Sequence, residues 1–317
     1  DARFHFDEKT GALTPIVPSQ YGQSLDAQAA AKQIEQQLLA SAARLPGSAS
    51  PLDTLSARTI GLPVNLTKPT IAMEDAAKFG IKELAAQGVS NFRGSAPGRI
   101  QNIRTTTAAM DGIVVPPGAV FSFDQYLPEV VEANGYDDAY IIFADRTVLG
   151  PGGGVCQVST TLFRAAFFGG YPIVERWAHA YRVGFYEPPI GLDATVFAPS
   201  VDLKFKNDTD NYLLIQPKID LKTTTLTFNF YGTKPNRTVE MEDPIIENII
   251  PHAPAIYTDD PTLKKGITQQ VDFAHDGGDV TLWRKILVNG QVVKREKFFS
   301  RYEPWVARYQ VGTKVVK

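Results

Sequence analysis

Hydrophobic and polar residues at the start of the chain follow patterns that are typical of a small mixed domain. Two β-prone runs within residues 1–20 flank the turn-forming residues 8–11, which predicts a hairpin. Residues 24–43 are rich in Ala, Gln and Leu with apolar positions along one helical face, which predicts an amphipathic helix. Pro, Gly and Ser are mixed over residues 45–69, so we predict that a small α+β domain occupies residues 1–70.

The next part of the chain combines helical and strand-like segments. Helical spacing of apolar residues appears over 71–86, and a proline in the first turn then favours a helix from Ser95 to Met110. A further helix is predicted after a glycine run, within residues 155–167. Strand-like alternation follows, and the predicted strands include 173–186 and 193–197.

The last part of the chain consists mostly of short β-like runs separated by glycine turns. Asn289-Gly290 is a strong hairpin signal, and we predict a small β module at residues 236–317. We assign residues 71–235 to a central domain that combines helices with an antiparallel sheet. The predicted fold class is therefore α+β, with three successive domains.

Composition and charge restrict the classes of function. The 317-residue chain is 44% hydrophobic and 21% charged, as expected of a folded globular protein. Its formal net charge of -2 gives no global attraction to a polyanion, so we exclude a general role in binding nucleic acid. No apolar run reaches the length of about 18 residues that a membrane span needs. Asp1 does not open a signal peptide, and we expect an export signal or membrane anchor before Asp1 in the full-length protein.

The chain contains a single cysteine, Cys156, which follows a glycine-rich stretch. One thiol excludes an intramolecular disulfide and a multi-thiolate zinc site. Gly152, Gly153 and Gly154 disfavour regular structure, and a helix is predicted directly after them. At a helix N-terminus, free N–H groups and the helix dipole favour a thiolate. We therefore predict a nucleophile, with glycines that admit a substrate and N–H groups that bind an oxyanion.

A thiolate nucleophile needs an imidazole partner, and that imidazole needs an orienting acceptor. Of the four histidines, only His179 lies in the same predicted domain as Cys156. Asp193 falls on the next predicted strand and points away from its apolar side. A cysteine at a helix start, followed by a histidine and an aspartate on successive strands, is the chain order of transglutaminase-like and papain-like thiol enzymes. We predict a catalytic triad of Cys156, His179 and Asp193 in a domain of that type, with no metal and no organic cofactor.

Two other interpretations of these residues stay open. Cys156 can be a small buried hydrophobe at a tight turn, with His179 a satisfied core residue and Asp193 a cap. The three residues can also bind zinc, although a closed site needs a fourth ligand that the spacing does not supply. For a catalytic site, the candidates for substrate binding are Gly152, Gly153, Gly154, Gln157, Arg99 and Arg176.

A series of motifs between residues 79 and 231 resembles the VanW family. The motifs are NFRGS at 91–95, RIQNI at 99–103, PGAVFSF at 117–123, GY at 135–136, GGGVCQVSTTL at 152–162, ER at 175–176, His179 and GLDA at 191–194. Asp124 stands where the family pattern has Asn, and Ala180 stands where Ser is frequent. Residues 1–70 resemble the peptidoglycan-binding domain that often precedes a VanW domain. Residues 236–317 are similar to the small G5-like β modules of cell-surface proteins.

The resemblance implies a location rather than a reaction. VanW proteins are bacterial, associated with the envelope and found near glycopeptide-resistance genes, so we expect an extracytoplasmic protein of the cell wall or a membrane-anchored surface protein. The expected partner is peptidoglycan or its stem peptides. Our main prediction is a thiol hydrolase or transpeptidase that acts on peptide or amide bonds of peptidoglycan through Cys156. The alternative is a non-catalytic peptidoglycan-binding or scaffolding protein linked to vancomycin resistance.

Overall fold

The computed structural model describes residues 1–42, 60–143 and 146–315. The predicted boundary segment at 45–69 therefore lies outside the described residues up to position 59. The described α-helices are α1 (Ala27–Ala42), α2 (Pro97–Met110) and α3 (Val155–Phe168). Short 3₁₀ helices lie at Met73–Lys78, Glu132–Asn134 and Gly184–Tyr186.

Strands make up most of the regular structure in the described residues. The strands up to the middle of the chain are β1 (Arg3–Asp7), β2 (Ala12–Val17), β3 (Gly22–Leu25), β4 (Val64–Thr67), β5 (Glu83–Asn91), β6 (Ile113–Val115), β7 (Val120–Ser122), β8 (Asp138–Phe143), β9 (Arg146–Pro151) and β10 (Ile173–Glu175). The later strands are β11 (Lys204–Lys206), β12 (Leu213–Asp220), β13 (Thr225–Gly232), β14 (Thr238–Met241), β15 (Ile245–Ile250), β16 (Ile256–Lys264), β17 (Thr268–Asp272), β18 (Gly277–Val288), β19 (Gln291–Tyr302) and β20 (Arg308–Lys314).

The chain divides into two compact units. The smaller unit comprises Asp1–Arg3 and Pro15–Ala76, and the larger unit comprises Phe4–Thr14 and Ala77–Lys317. The division into three domains, at 1–70, 71–235 and 236–317, stays a prediction.

The smaller unit contains the predicted amphipathic helix, α1, and a two-stranded antiparallel sheet. Strands β3 and β4 pair from Gly22 opposite Thr67 onward. Helix α1 begins after Asp26, whose Oδ1 accepts the Ala29 N–H at 3.0 Å and thereby satisfies one of the free donors of the first turn. The helix predicted from the spacing of apolar residues is confirmed.

The larger unit begins with the predicted hairpin. Gly11 N–H donates to Asp7 O at 2.8 Å and closes the turn. Phe4 packs edge-on against Phe79 with ring centroids 5.6 Å apart, and Phe6 lies 5.0 Å from the Tyr231 ring. The hairpin therefore adds its aromatic side chains to the core of the larger unit.

A four-stranded antiparallel sheet, in the order β5-β13-β12-β6, forms the base of the larger unit. Alternate residues of β13, among them Phe228 and Phe230, are buried in the core. Helix α3 lies so close to β5 that a side chain at Gly88 would overlap the backbone of Thr161 and Ala165. Helix α2 contacts both β12 and α3. The helix that carries Cys156 is thus fixed against the sheet at backbone distance.

The segment between β10 and β11 has little regular structure. Strands β10, β11 and β7 form a small antiparallel sheet, and β8 pairs with β9. Between β10 and β11 the backbone is held by single bridges, Trp177 opposite Thr195 and Phe197 opposite Val201. His179 lies in this irregular segment, and so does Asp193.

The C-terminal strands pack against the core. Strand β18 pairs with β14, β15 and β19, and a separate sheet has the order β16-β20-β17. Arg284 of β18 is fully buried and donates to Phe167 O at 2.8 Å and to Tyr171 O at 3.1 Å. These carbonyls lie at and just beyond the C-terminal end of α3, where a cation interacts favourably with the helix dipole.

The predicted fold class is wrong. The structure is mostly β, with 43% strand and 19% helix, in several small and mainly antiparallel sheets rather than in a transglutaminase-like or papain-like core. The strands predicted at 173–186 and 193–197 are replaced for the most part by irregular backbone. Within these ranges side chains take the place of a neighbouring strand, since the His179 N–H donates to Asp193 Oδ2 and Asp193 O accepts Arg176 Nε.

The helix predicted at 71–86 is also wrong. The chain forms only a 3₁₀ helix at Met73–Lys78 and then enters β5. Gly80 adopts φ +69°, which ends any helix there. Residues of β5 then pair with β13 along their whole length, so pairing within the sheet overrides the local helical spacing of apolar residues.

Candidate active site

Cys156 occupies the second position of α3. The residue that caps the helix, Gly154, has φ +113°, a conformation that L side chains rarely adopt. The thiol is half-buried. Its Sγ lies 3.5 Å from Thr195 Oγ1 and 3.7 Å from Val196 O. The sulfur is therefore held between the start of α3 and the irregular segment that contains Asp193.

His179 and Asp193 contact each other through two hydrogen bonds. Asp193 Oδ2 accepts the backbone N–H of His179 at 2.9 Å and lies 2.5 Å from His179 Nδ1. Because Nδ1 faces the carboxylate, Nε2 is the ring nitrogen left to face the thiol. The His179 side chain lies close enough to Cys156 for the two groups to shift each other's pKa. The structure thus brings the three predicted residues together in the order aspartate, histidine, cysteine.

Helix α3 also anchors the backbone on both sides of Asp193. Ser159 Oγ donates to Ala194 O at 2.7 Å, and Ala194 N–H donates to Thr160 Oγ1 at 3.0 Å. On the other side, Arg164 Nε donates to Leu192 O at 3.1 Å. One helix therefore carries the thiol and fixes the position of the carboxylate.

The second oxygen of Asp193 is held by two further donors. Oδ1 accepts the Tyr302 hydroxyl at 2.5 Å and Arg176 Nη2 at 3.0 Å. Arg176 also donates to Asp193 O at 2.6 Å and to Gly191 O at 2.9 Å. Arg176, predicted to bind substrate, is thus engaged with the protein's own oxygens, and its substrate role stays a prediction.

The electrostatics of the three groups favour a charged pair. Burial opposes ionisation of Cys156, but the hydrogen bond and charge of His179 outweigh it, so the pKa of the thiol is lowered. Burial likewise opposes the imidazolium, yet its hydrogen bond with Asp193 and the nearby Cys156 raise the pKa of His179 to about 9. The pKa of Asp193 is lowered against the effect of burial, chiefly by its hydrogen bond with His179. An imidazolium beside a carboxylate is therefore favoured near neutral pH, and the thiol ionises more readily than a free thiol.

The glycine run packs against the protein's own chain. A Cβ at Gly153 would lie 2.6 Å from Tyr140 O, and one at Gly154 would lie 2.8 Å from Arg99 O. At Gly152, φ is +100° and a Cβ would meet the Val130 side chain at 2.7 Å. The fold alone therefore requires glycine at these positions, and close approach of a substrate stays a prediction.

Arg99 and Gln157 are linked beside the site. Gln157 is fully buried, accepts Arg99 Nη2 at 2.8 Å and donates to Ser90 Oγ at 2.6 Å. The Arg99 guanidinium lies 3.8 Å from the centroid of the Phe185 ring and donates to Ser95 Oγ at 2.6 Å. Burial lowers the pKa of Arg99. Their polar atoms serve the fold in this state, and substrate binding by either residue stays a prediction.

Three residues of the site are not predicted by the sequence patterns. Thr195 contacts the sulfur, Tyr186 packs on the His179 ring with centroids 5.0 Å apart, and Tyr302 binds Asp193. Thr195 and Tyr186 lie close to the quoted motifs and could have been suspected from that proximity. Tyr302 could not, because 109 positions separate it from Asp193.

No cluster of three or more His, Cys, Asp or Glu side chains suited to a metal ion occurs within the residues that the structure describes. Those residues also include no helix long and apolar enough to cross a membrane.

The thiol centre lies in the part of the chain that matches a known family. The family model described as "VanW like protein" matches residues 98–231. This range includes Cys156, His179 and Asp193. The chain therefore contains a VanW-like domain, and the resemblance seen in the sequence motifs is confirmed over these residues.

Two relatives share part of this chain. The uncharacterized protein YoaR of Bacillus subtilis is 38% identical over 150 residues, which are 47% of this chain and 48% of YoaR. The vancomycin B-type resistance protein VanW of Enterococcus faecalis is 29% identical over 116 residues, which are 35% of this chain and 42% of VanW. The chain thus matches less than half the length of each relative.

Two solved structures have a weaker likeness. The structure titled "IgA1 Protease G5 domain structure" is 27% identical, with a TM-score of 0.15, over 26% of this chain and 94% of its own. The structure titled "Crystal structure of HP0197-G5" is 18% identical, with a TM-score of 0.12, over 25% of this chain and all of its own. We base no conclusion about fold or function on TM-scores of this size.

Proposed function

We propose that Cys156, His179 and Asp193 form a thiol active centre that cleaves or exchanges a peptide or amide bond of the bacterial cell wall. One observation carries the proposal, namely that Asp193 is hydrogen-bonded to the His179 ring beside a thiol at a helix N-terminus. A cysteine that only fills space needs neither an oriented imidazole nor a lowered pKa.

The reaction follows from the roles of the three side chains. The Cys156 thiolate attacks the carbonyl carbon and forms a C–S bond, and the carbonyl oxygen becomes an oxyanion. The tetrahedral intermediate then expels the amine, which leaves with the proton of the His179 imidazolium, and a thioester remains on Cys156. Water or a second amine attacks the thioester while His179 accepts its proton, which releases the acid or the new amide and restores the thiolate. Asp193 holds the imidazole throughout.

The oxyanion donor is assigned from the first turn of α3. The Val155 N–H donates to Gly152 O and the Gln157 N–H donates to Gly154 O, both at 3.0 Å. These two amides are committed to the turn, so we assign the oxyanion to the N–H of Cys156 itself. That donor is adjacent to the attacking sulfur and benefits from the positive end of the helix dipole.

The location and substrate class rest on the VanW-like domain. The family match and the Enterococcus relative, whose name connects it with vancomycin resistance, support an envelope protein that acts outside the cytoplasm. Peptidoglycan and its stem peptides are the proposed partners, because they offer the amide carbonyls that a thiol centre attacks. The formal net charge of -2 supports no nucleic-acid partner.

A non-catalytic role in binding or organising the wall is the second candidate. The comparisons support such an envelope role more directly than they support catalysis, because neither relative is named after a reaction. The committed polar atoms of Gln157 and Arg176, together with the close packing of the glycine run, also favour it. In this case Cys156 only packs at the start of α3.

Alkylation of the thiol separates the two candidates, because Cys156 is the only cysteine in the chain. We expect iodoacetamide at pH 6 to label it about 10 to 100 times faster than a free thiol, since the thiolate fraction is larger. His179→Ala removes most of this advantage. His252→Ala is the matched control, because His252 is exposed and lies between β15 and β16.

Turnover of defined muropeptides, followed by mass spectrometry, tests the reaction itself. Native protein yields a cleaved or exchanged stem peptide and a transient thioester mass on Cys156, and Cys156→Ser yields neither. If the thiol reacts only after denaturation, while muropeptides still bind, the catalytic proposal fails and the binding role stands.

A further inference from the structure

Tyr302 is the last residue of β19, and its hydroxyl reaches the carboxylate at the centre of the site. The oxygen lies 2.5 Å from Asp193 Oδ1, a distance typical of a short charge-assisted hydrogen bond. Both residues are buried, Tyr302 with 3% and Asp193 with 4% of its surface exposed. The adjacent cavity, of about 10 Å³, is too small for any occupant larger than one water. The Tyr302 hydroxyl, rather than bulk solvent, therefore satisfies this oxygen.

The same end of β19 contacts the site at several further points. Arg176 Nη1 donates to Ser300 Oγ at 3.0 Å and to Phe299 O at 3.2 Å. One residue beyond Tyr302, the Glu303 N–H donates to Ala180 O at 2.7 Å, next to His179 in the sequence. The C-terminal strands thus hold Asp193 directly, and they hold it again through Arg176.

The ring of Trp305 extends this contact. It stacks on Tyr181, with centroids 4.0 Å apart and an angle of 20° between the planes. Tyr181 follows His179 by two positions, so the stack restrains the backbone that carries the imidazole. Aromatic pairs of this kind add stabilisation beyond the area they bury.

We infer that Tyr302 is a positioning residue of the thiol centre, and that the C-terminal β module completes this centre instead of serving only as an appended wall-binding module. The inference rests on the proposed function. Tyr302 touches neither the sulfur nor the imidazole, and it acts through Asp193.

The physical basis is the orientation of a carboxylate. Asp193 has two oxygens, and only Oδ2 faces His179. Tyr302 and Arg176 together hold Oδ1, which prevents rotation of the carboxylate away from the ring. Without the hydroxyl, one of the two restraints is lost, and a less well aligned carboxylate stabilises the imidazolium less. The pKa of His179 then falls, and the pKa of Cys156 rises with it.

The groups that face His179 from every side are few. Asp193 is hydrogen-bonded to it, Cys156 lies beside it, and the Tyr186 ring packs on it. Arg176 and Tyr302 act on it through Asp193. The other ionisable groups nearby are Arg99, Arg164 and the buried Tyr181. Arginine stays charged at every pH of interest, the pKa of Asp193 is lowered, and the pKa values of Tyr181, Tyr186 and Tyr302 are raised. A shift between pH 5 and 9 therefore reports on the pair of His179 and Cys156.

The test is an NMR titration of the His179 ring in the full 317-residue chain, with and without Tyr302→Phe. Both proteins carry Cys156→Ala, so that only the pair of His179 and Asp193 is measured. We expect Tyr302→Phe to lower the pKa of His179 by about one unit, which corresponds to a tenfold change in the equilibrium. With Cys156 present, the same substitution lowers the rate of alkylation at pH 6 several-fold.

Tyr309→Phe is the matched control. Tyr309 also belongs to the C-terminal strands, but its ring stacks on Tyr257, with centroids 4.9 Å apart. This substitution leaves the His179 titration unchanged. Ser300→Ala is the second variant. It keeps the Tyr302 ring in place, loosens Arg176 and shifts the titration by less in the same direction.

The outcomes distinguish this inference from the proposed function. An unchanged His179 pKa in a folded Tyr302→Phe protein overturns the positioning role, even if its melting temperature falls. An ordinary thiol pKa in the native protein overturns the proposed function, whatever Tyr302 does. If Tyr302→Phe does not fold, the Ser300→Ala titration decides, and the absence of any shift there counts against the inference.

Discussion

Asp193 determines the character of the site at the scale of single residues. It is almost fully buried, yet the pKa of its carboxyl is lowered because four donor contacts satisfy its two oxygens. A buried charge persists only when it is paired and hydrogen-bonded in this way. Its charge in turn is one of the causes of the raised pKa of His179.

Replacing this carboxylate with an amide should abolish most of the chemistry. Asp193→Asn keeps the shape but removes the charge, and an amide can hold His179 in the wrong tautomer. Muropeptide turnover is expected to fall on the order of 10³-fold to 10⁴-fold, as for triads in general, and the alkylation profile to shift to higher pH. Unchanged kcat/KM in a folded variant would falsify the catalytic role of Asp193.

A second prediction concerns Asp124, which stands where the family pattern has Asn. Burial and then the charge of Asp202 raise the pKa of Asp124 to about 6. An unfolded Asp releases its proton near pH 4. Between pH 4 and 6 the unfolded chain therefore loses a proton that the native state retains, so stability falls through this range and the penalty is complete above pH 6.

Asp124→Asn removes this penalty. We expect its melting temperature to exceed that of the native sequence at pH 7 and to equal it near pH 4, as measured by calorimetry at both pH values. Asp208→Asn is a control with the opposite sign, because Asp208 pairs with Arg237 at 2.7 Å. An Asp124→Asn protein that is no more stable at pH 7 contradicts the assignment.

At the scale of elements, helix α3 combines several roles. It carries Cys156, binds the backbone next to Asp193 and packs against β5. The sequence predicted this helix and α2 correctly, because a glycine run or a first-turn proline marks the start of each. The helix predicted at 71–86 from the spacing of apolar residues is wrong, because the chain enters β5 there and pairs in a sheet. The strand predicted at 173–186 from the alternation of apolar and polar residues is also wrong for the most part, because single bridges stand there in place of a continuous strand pair.

The start of α3 offers a test at this scale. In Gly154→Ala, both the positive φ and the contact with Arg99 O oppose a side chain. We expect a loss of stability of about 2–4 kcal/mol by denaturant unfolding. Gly266→Ala is the matched control, since Gly266 has φ +93° but open space around it. It should lose only the smaller conformational part, and equal losses would show that packing at the glycine run contributes nothing.

At the scale of the whole molecule, the C-terminal strands are joined to the core by buried polar contacts. Arg284 makes several of these contacts, since it pairs with Glu296 and donates to the carbonyls at the end of α3. Burial lowers the pKa of Arg284, but an arginine keeps its charge at any pH at which the protein folds. The contact between the C-terminal strands and the core therefore does not depend on pH.

Replacing Arg284 should destabilise the C-terminal strands and the core together. Arg284→Met removes the buried cation that pairs with Glu296 and leaves two carbonyls without their donor, and we expect a loss of about 3 kcal/mol. Unfolding followed by circular dichroism should coincide with loss of the accelerated alkylation of Cys156. Arg295→Met is the control, because Arg295 pairs with Glu242 at the surface, where solvent weakens the interaction, and its replacement should cost much less stability. Separate transitions for the two probes would contradict the joining of module and core.

The sequence alone indicates the VanW-like domain, the hairpin, the helix that follows the glycine run and the three residues proposed for the thiol centre. The choice of these three was possible because one cysteine and four histidines leave few combinations. The mainly β architecture, the irregular segment that carries His179 and Asp193, and the contact of Tyr302 with Asp193 are visible only in the folded chain. Periodicity along a chain reports which face of a local element is buried. It carries no information about which distant segment packs against that face. Here Tyr302 binds Asp193 although 109 positions separate the two residues.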